Sequence, residues 1–463
     1  MRKPLIGVMG LTAELYKKKF PDFVERLDKH LLDFLQHLSQ FFEVVPSPVL
    51  YNRNLVKNAY DRMIESDVDG IIIIFLSYSP SMIIEPVIKN SKVPILIWNT
   101  QQIFEITENF STFDTMDNHG MHGVQDLASV LLRENVKFSI VTGHKTQKDT
   151  MSNIESWGKC AAINHDLKKL RVGRIGGIFK DMGDFSIPDE KIKKILGPSI
   201  IDIDMKTLCA ENRAISDREI ESVMKDEENR FILSEDLDDD TRKKTIRFEL
   251  GLRNLIKKFS LEAIAINFIT FKGQKFCEAI PFSAISKFIS EGMGYAGEGD
   301  CLCAISVWMF QKLAGIATFT EMFTTDYKNN RIFMSHMGES NILMVKHSEK
   351  IKLVKKDMSI SAKNTATCMF LFQMKPGQVT LLNLAPCNGN IRLITTVATI
   401  EDQQIFSSIN APHFLLKIDG DVRDFLTCYS MLGGTHHLAM AYGDITEQLR
   451  LFASIAGIEF AKI

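Results

Sequence analysis

The sequence predicts an α/β protein made of two flavodoxin-like, doubly wound α/β domains followed by a β-rich, barrel-like C-terminal domain. Three observations predict it. Apolar strand-like runs alternate with helix-length amphipathic stretches from Pro4 onward. The same alternation restarts near Leu170, and after residue 311 the pattern changes to short β-rich segments separated by turn residues. Alternating strands and helices are the rhythm of a parallel sheet covered on both faces, whereas short strands between turns belong to sandwiches and barrels. The expected boundaries are 1–166, 167–310 and 311–463. A chain of 463 residues exceeds the size at which a single core stops growing, in keeping with several domains.

In the first domain the strand-like runs are Pro4 to Gly10, Gly70 to Leu76, Val93 to Trp98 and Lys137 to Thr142. Between the first two, Phe20, Phe23, Leu27, Leu31, Phe34 and Leu38 recur at threes and fours, as one face of a helix packed on the sheet requires. The second series begins at Leu170-Arg171-Val172-Gly173 and ends with Ala263 to Phe268. Within it, the mixed-charge run Ser234 to Lys244 reads as a solvated helix end or loop rather than a binding site. The C-terminal segments are Arg331 to Met337, Asn341 to Val345, Gln378 to Leu384, Ile391 to Ile400 and His413 to Ile418, with Glu447 to Ala456 closing as a helix. No internal repeat, low-complexity tract or GxGxxG fingerprint after the first strand is present, so the α/β pattern alone does not imply a nucleotide site.

Composition excludes several classes. Hydrophobic residues make up 45% and charged residues 24%, an ordinary globular balance. A formal net charge of -2, with Lys and Arg spread along the chain, offers no basic face for a phosphate backbone, so no nucleic-acid partner is expected. The longest apolar runs, such as Ile71 to Leu76, fall far short of the ~20 residues that cross a bilayer, and Met1-Arg2-Lys3-Pro4 leads straight into a strand-like run without a signal-peptide core. A cytoplasmic protein with no membrane partner is expected. The eight cysteines include no CxxC pair and read as reduced, mostly buried thiols; Cys301 and Cys303 lack the second pair that a zinc site needs and read as packing residues.

Four short segments place metal-competent side chains beside or near glycine: GYAGEGD (294–300), TFTEMF (318–323), SHMGES (335–340) and GGTHH (433–437). Glu298 stands in a Gly-Glu-Gly turn just before a helix N-cap at Asp300, where glycines let the backbone approach a ligand closely. Singly, each has an ordinary reading: a glutamate beside glycine is usually a surface turn, and a lone histidine in a β-segment is usually a satisfied structural residue.

Together, in this order, the four segments resemble the L-arabinose isomerases, of the L-arabinose and L-fucose isomerase-like group. That family carries Gly-(Tyr/Phe)-Ala-Gly-Glu-Gly-Asp, Phe-x-Glu, Ser-His-Met and Gly-Gly-x-His-His in sequence. The similarity extends upstream through Phe271 to Asp300 and includes Asp69-Gly70, Phe75 to Pro80, Asn99-Thr100-Gln101, Met121-His122-Gly123 and Val141-Thr142-Gly143-His144.

The resemblance implies an aldose–ketose isomerase acting on a pentose or (deoxy)hexose. It implies Glu298, Glu321, His336 and His437 as metal ligands, with His436 the competing choice at the last position. Glu298 and Glu321 would be the catalytic acid/base pair, moving a proton between C1 and C2 through a cis-enediol. His122, Phe271 and His436 would bind substrate; His122 has an alternative reading as a residue at the start of the helix over Val124 to Leu132. Two carboxylates and two imidazoles suit Mn²⁺, or Mg²⁺, Co²⁺ or Fe²⁺, better than a thiolate site does, and six-coordination leaves room for two sugar oxygens. A small sugar and a homo-oligomer, trimer or hexamer, are the partners implied. Two departures from the family fall where a pocket would touch the far end of the sugar. Ala13-Glu14-Leu15-Tyr16 stands where the family commonly has Gln-His-Leu-Tyr, and Met322-Phe323 follows Glu321 where the family has Asp-Tyr. The alternatives weighed against an isomerase are a non-catalytic sugar-binding or sensor protein and a metal-dependent sugar epimerase.

Overall fold

Strands β1 (Leu5–Leu11), β2 (Glu43–Leu50), β3 (Gly70–Phe75), β4 (Ile95–Asn99) and β5 (Ser139–Thr142) form a parallel five-stranded sheet in the order β2-β1-β3-β4-β5. This is the doubly wound order expected when helices cover both faces. β3 reads Gly-Ile-Ile-Ile-Ile-Phe and is buried at every position, which is why it is continuously apolar rather than alternating. The helix Pro21–Leu38 lays Phe23, Leu27, Leu31, Phe34 and Leu38 into the core, as the sequence periodicity predicts, whereas Phe20, expected on the same face, precedes the helix at its N-cap and is exposed.

β2 is the strand that the apolar pattern does not reveal. It carries Pro46 and Pro48, and it stands at the sheet edge, beside a register shift between Val8 and Gly10 of β1. An edge strand has one side free of ladder bonds, so it accommodates residues without an N–H.

The computed structural model describes residues 2–346, 351–358, 365–404 and 406–463, and it divides into two compact units. The sheet just described belongs to the first, Met1–Asp166 with Ser454–Gly457; the second is Leu167–Ala453 with Ile458–Ile463.

The second unit begins with a parallel four-stranded sheet. Its strands are β6 (Arg171–Ile175) and β7 (Ser199–Ile203), followed, after the short β8 (Ile232–Leu233), by β9 (Ala263–Ile266) and β10 (Gly294–Gly297), in the order β10-β9-β6-β7. The mixed-charge run ends in the helix Asp239–Phe259, capped by Asp238, whose side chain accepts a hydrogen bond from Thr241 N–H.

The remaining strands are β11 (Ala317–Asp326), β12 (Arg331–Ser335), β13 (Lys352–Met358), β14 (Thr365–Leu371), β15 (Gly377–Cys387), β16 (Asn390–Ile400), β17 (His413–Ile418), β18 (His437–Tyr442) and β19 (Glu459–Lys462). Antiparallel pairings run β15-β18-β11-β12-β17-β16, and β15 also pairs with β16, closing the sheet into a barrel with β19 added alongside β16. β13, β14 and β8 make a separate three-stranded sheet. Met334, Leu381, Ile394, Leu416 and Met440 fill the barrel core.

One expected β-segment is corrected. Asn341 to Val345 contains a 3-10 turn, Ile342–Met344, because the Asn341 side chain accepts from Leu343 N–H and donates to the Ala317 carbonyl, drawing the backbone away from a ladder.

The helix Cys301–Ala314 packs against β9 and β10 as well as β11, β15 and β18, and is buried at every position from Cys301 to Gln311. A helix covered on all sides is apolar all round. Cys301 and Cys303 are therefore packing residues, none of the eight cysteines forms a disulfide, and only Cys428 is exposed. No helix among the described residues is long and apolar enough to cross a membrane.

Candidate functional site

β10 ends at Gly297 and the chain turns sharply through two left-handed residues, Glu298 (φ 61°) and Gly299 (φ 85°), before Asp300 caps the helix by accepting from Cys303 N–H at 2.9 Å. A glutamate at positive φ is uncommon and is held here by its surroundings. Phe179 N–H donates to the Glu298 carbonyl at 2.9 Å, and a Cβ on Gly299 would lie 2.3 Å from the Gly177 carbonyl oxygen. The loop that follows β6 thus grips the turn from the side and presents the Glu298 carboxylate to the barrel.

Barrel register supplies the partners. Glu321 on β11 stands opposite His437 on β18 and opposite Ser335 on β12, the residue before His336. Glu321 Oε1 consequently lies 3.0 Å from His437 Nε2 and 3.3 Å from His336 Nε2. Glu298 Oε2 lies 3.5 Å from His437 Nε2 and 3.3 Å from His436 Nε2. These side chains form two overlapping donor groups, Glu321-His336-His437 and Glu298-His436-His437, sharing His437. The Gly433-Gly434-Thr435 approach is anchored by Asn383, which accepts from Thr435 N–H and donates to the His437 carbonyl, while Gly434 packs against the Tyr429 ring where a Cβ would collide at 2.3 Å.

Each imidazole is backed by a second carboxylate on its Nδ1. For His437 this is Asp300 Oδ2 at 3.0 Å and for His436 it is Asp184 Oδ2 at 2.6 Å, both hydrogen bonds; for His336 it is Glu339 Oε1, 2.8 Å from Nδ1 as an ion-pair contact outside hydrogen-bond geometry, that oxygen accepting from the Tyr295 hydroxyl at 2.7 Å. Phe319 meets the His336 and His437 rings edge-on at 4.6 and 4.9 Å, and Phe185 stacks on His437 at 5.4 Å. In every case the second carboxylate occupies Nδ1 and leaves Nε2 toward Glu298 and Glu321.

The charges respond accordingly. Burial pushes the His336 imidazole down, but Glu339 and Glu321 outweigh it and bring it up to about 10. Asp184 and Glu298 raise His436 to about 10 against burial. His437 is raised too, burial being outweighed by Asp300 and Glu321. Burial works to raise the Glu321 carboxyl, yet His336 and His437 hold it well below the usual carboxylate range. The pocket is a concentration of carboxylates that demands positive charge.

The donor set fits a divalent cation. His437 Nε2 is fully buried and has no hydrogen-bond partner, although carboxylate oxygens lie within reach. With Nδ1 engaged by Asp300, its Nε2 points at those oxygens without a hydrogen bond to either, and an orphaned buried polar atom costs about 1–3 kcal/mol. A cation held by Glu298, Glu321, His336 and His437 would satisfy all four, and oxygen plus imidazole donors suit Mn²⁺ and its neighbours.

The structure therefore brings together Glu298, Glu321, His336, His437 and His436. Phe271 ends the 3-10 segment Phe268–Phe271 and is buried against Phe248, ring centroids 4.9 Å apart. His122 lies in the first unit, exposed near the start of the helix Gly120–Arg133, its Nδ1 2.5 Å from His119 Nε2. Sequence reasoning missed Asp184, Phe185, Tyr295 and Glu339 as site residues. Glu339 lies inside the SHMGES segment and was within reach, whereas Asp184 carries no local signal.

Comparison with known proteins agrees along nearly the whole chain. The model of the L-arabinose isomerase N-terminal domain matches residues 7–169, that of the central domain 190–315 and that of the C-terminal domain 316–459. L-arabinose isomerase 1 of Bacillus licheniformis is 23% identical over 460 residues, covering 98% of this chain and 92% of the relative. The L-arabinose isomerase of Herpetosiphon aurantiacus is 24% identical over 96% of this chain and 91% of its own, and that of Yersinia pestis 25% identical over 80% and 76%.

Proposed function

This chain belongs to the L-arabinose isomerase family, and from that premise we propose that it is a metal-dependent aldose–ketose isomerase acting on a pentose or (deoxy)hexose of L-arabinose or L-fucose type. The observation that carries this reading is the pair of donor groups, Glu321-His336-His437 and Glu298-His436-His437, that share the buried His437, whose Nε2 has no hydrogen-bond partner.

Glu298 and Glu321 approach the shared point from different elements, one on a turn and one on a barrel strand. One carboxylate removes the proton from C2 of the open-chain aldose as O1 takes up a proton, giving a cis-enediol, and the pair then returns a proton to C1 as O2 gives up its hydroxyl proton, leaving the ketose. A divalent cation, when bound, supplies stabilisation of negative charge developing on O1 and O2. His437, buried and hydrogen-bonded on Nδ1 by Asp300, and His336, buried with Glu339 beside its Nδ1, both turn Nε2 toward Glu321. Burial of Phe319 beside both rings keeps water from their apolar faces. We further propose a cytoplasmic homo-oligomer whose partner is a small sugar.

The test is a panel of L-arabinose, L-fucose and D-galactose assayed with chelated and Mn²⁺-restored protein, products resolved by NMR. Metal-restored ketose supports the isomerase and names its sugar. A C2 epimer would redirect the reading to an epimerase, and sugar binding that is indifferent to chelation, without turnover, would redirect it to a sensor.

A further inference from the structure

We infer that Asp184 is a positioning residue that holds His436 as the substrate-facing partner of Glu298 and thereby keeps His436 outside the metal-ligand set. This rests on the isomerase reading above and divides labour within the Gly-Gly-Thr-His-His segment, whose two histidines sequence alone leaves interchangeable.

Three observations carry it. First, a single oxygen, Asp184 Oδ2, accepts from both the backbone N–H of His436 at 3.0 Å and its ring Nδ1 at 2.6 Å. Two bonds from one residue to one oxygen fix the side-chain rotation and the ring orientation together, so Nε2 can face only one way. That way is toward Glu298 Oε2, with which it hydrogen-bonds at 3.3 Å.

Second, the three carboxylate-backed imidazoles differ in wetness. The His437 side chain is 0% exposed and that of His336 2%, whereas His436 is 40% exposed and Asp184 36%. The two dry rings both aim Nε2 at Glu321 Oε1, at 3.0 and 3.3 Å, while His436 Nε2 stands 4.0 Å from that oxygen. A ring on the open side of the cluster, bonded to Glu298 alone, is placed to meet a sugar hydroxyl beside the carbon at which Glu298 works.

Third, Asp184 does not act in isolation. Its neighbour Phe185 stacks on the His437 ring with planes 19° apart, and Phe179 N–H of the same loop holds the Glu298 carbonyl. The 177–185 loop is thus the element that sets Glu298, His436 and His437 relative to one another.

The experiment compares wild type with D184A, D184N, H436Q and H437Q. Two quantities are read on each folded protein: Mn²⁺ affinity, by electron paramagnetic resonance of free Mn²⁺, and kcat and KM on the aldose that the wild type isomerises. D184A and H436Q should leave the Mn²⁺ Kd within about threefold of wild type, while H437Q weakens it by at least ~100-fold, beyond what loss of a ligand's outer partner costs. On turnover, D184A and H436Q should lower kcat/KM at least ~30-fold, and D184N, which keeps an oxygen acceptor for both His436 donors, should recover to within about fivefold of wild type.

Mn²⁺ binding weakened tenfold or more in D184A or H436Q would make His436 a ligand and overturn the inference, as would wild-type kcat/KM in D184A. Should D184A fail to fold, H436Q decides, since full Mn²⁺ affinity with kcat/KM reduced at least ~30-fold supports the inference and lost affinity or wild-type kcat/KM overturns it. Failure of the isomerase reading would appear separately, as wild-type protein that binds Mn²⁺ without forming ketose.

Discussion

Glu321 and His437 stand directly opposite each other on the antiparallel strands β11 and β18, with Oε1 3.0 Å from Nε2. Strand register therefore sets the carboxylate-to-imidazole distance at the centre of the site, and His336 joins from just past the end of β12, on the other side of β11. Side chains mounted on a closed barrel cannot slip by one residue without turning every neighbour from core to surface, so the donors are held by the whole sheet.

Glu298→Gln and Glu321→Gln each remove one member of the proposed acid/base pair while keeping its shape. Each should lower kcat by ~10²–10⁴-fold with little change in circular dichroism. A variant that keeps near wild-type turnover would remove that residue from the pair.

His336→Asn and His437→Asn should each weaken Mn²⁺ binding by at least ~100-fold, since loss of even an outer partner of a ligand costs ~10–100-fold. Equilibrium dialysis against Mn²⁺ measures this without reference to turnover. Unchanged affinity in either variant would exclude that imidazole from the ligand set.

Gly299→Ala tests the grip on the Glu298 turn. The residue sits at φ 85°, and its Cβ would meet the Gly177 carbonyl oxygen at 2.3 Å. The left-handed backbone alone costs on the order of 1–3 kcal/mol, so a lower thermal midpoint together with reduced turnover is expected. A variant with wild-type midpoint and rate would show that the turn does not depend on this glycine.

Asp69 provides a pH-dependent test in the first unit. Burial would raise its carboxyl, but His165, Arg2 and the Leu5 N–H bring it from the ordinary 3.8 to about 2. A carboxylate depressed in the folded state contributes stability fully above its unfolded value and loses it as pH falls through the folded one. Asp69→Asn should therefore cost on the order of 2 kcal/mol at neutral pH, and the gap to wild type should narrow as pH falls from about 5 to about 2, followed by urea melts. A gap that stays constant over that range would refute the assignment.

What could be read from the sequence were features whose cause is local. The Gly-Glu-Gly turn before Asp300 announces itself through residues adjacent in the chain, and the helix Pro21–Leu38 through its own periodicity. The edge strand β2 escaped because its two prolines oppose strand propensity and only its edge position makes them tolerable. Asn341 escaped because its side chain, not its backbone, decides the local path. Asp184 lies 252 positions before the histidine that it holds, and no spacing rule spans such a distance; only the folding of its loop against the barrel brings the two together.

The central claim is most directly tested by one preparation of the protein, stripped of metal with a chelator, assayed for ketose formation from L-arabinose, L-fucose and D-galactose, then assayed again after Mn²⁺ is restored. The account predicts no ketose from the stripped protein and recovery with Mn²⁺ on at least one sugar. Ketose formation that is equal in both states would contradict the metal-dependent isomerase.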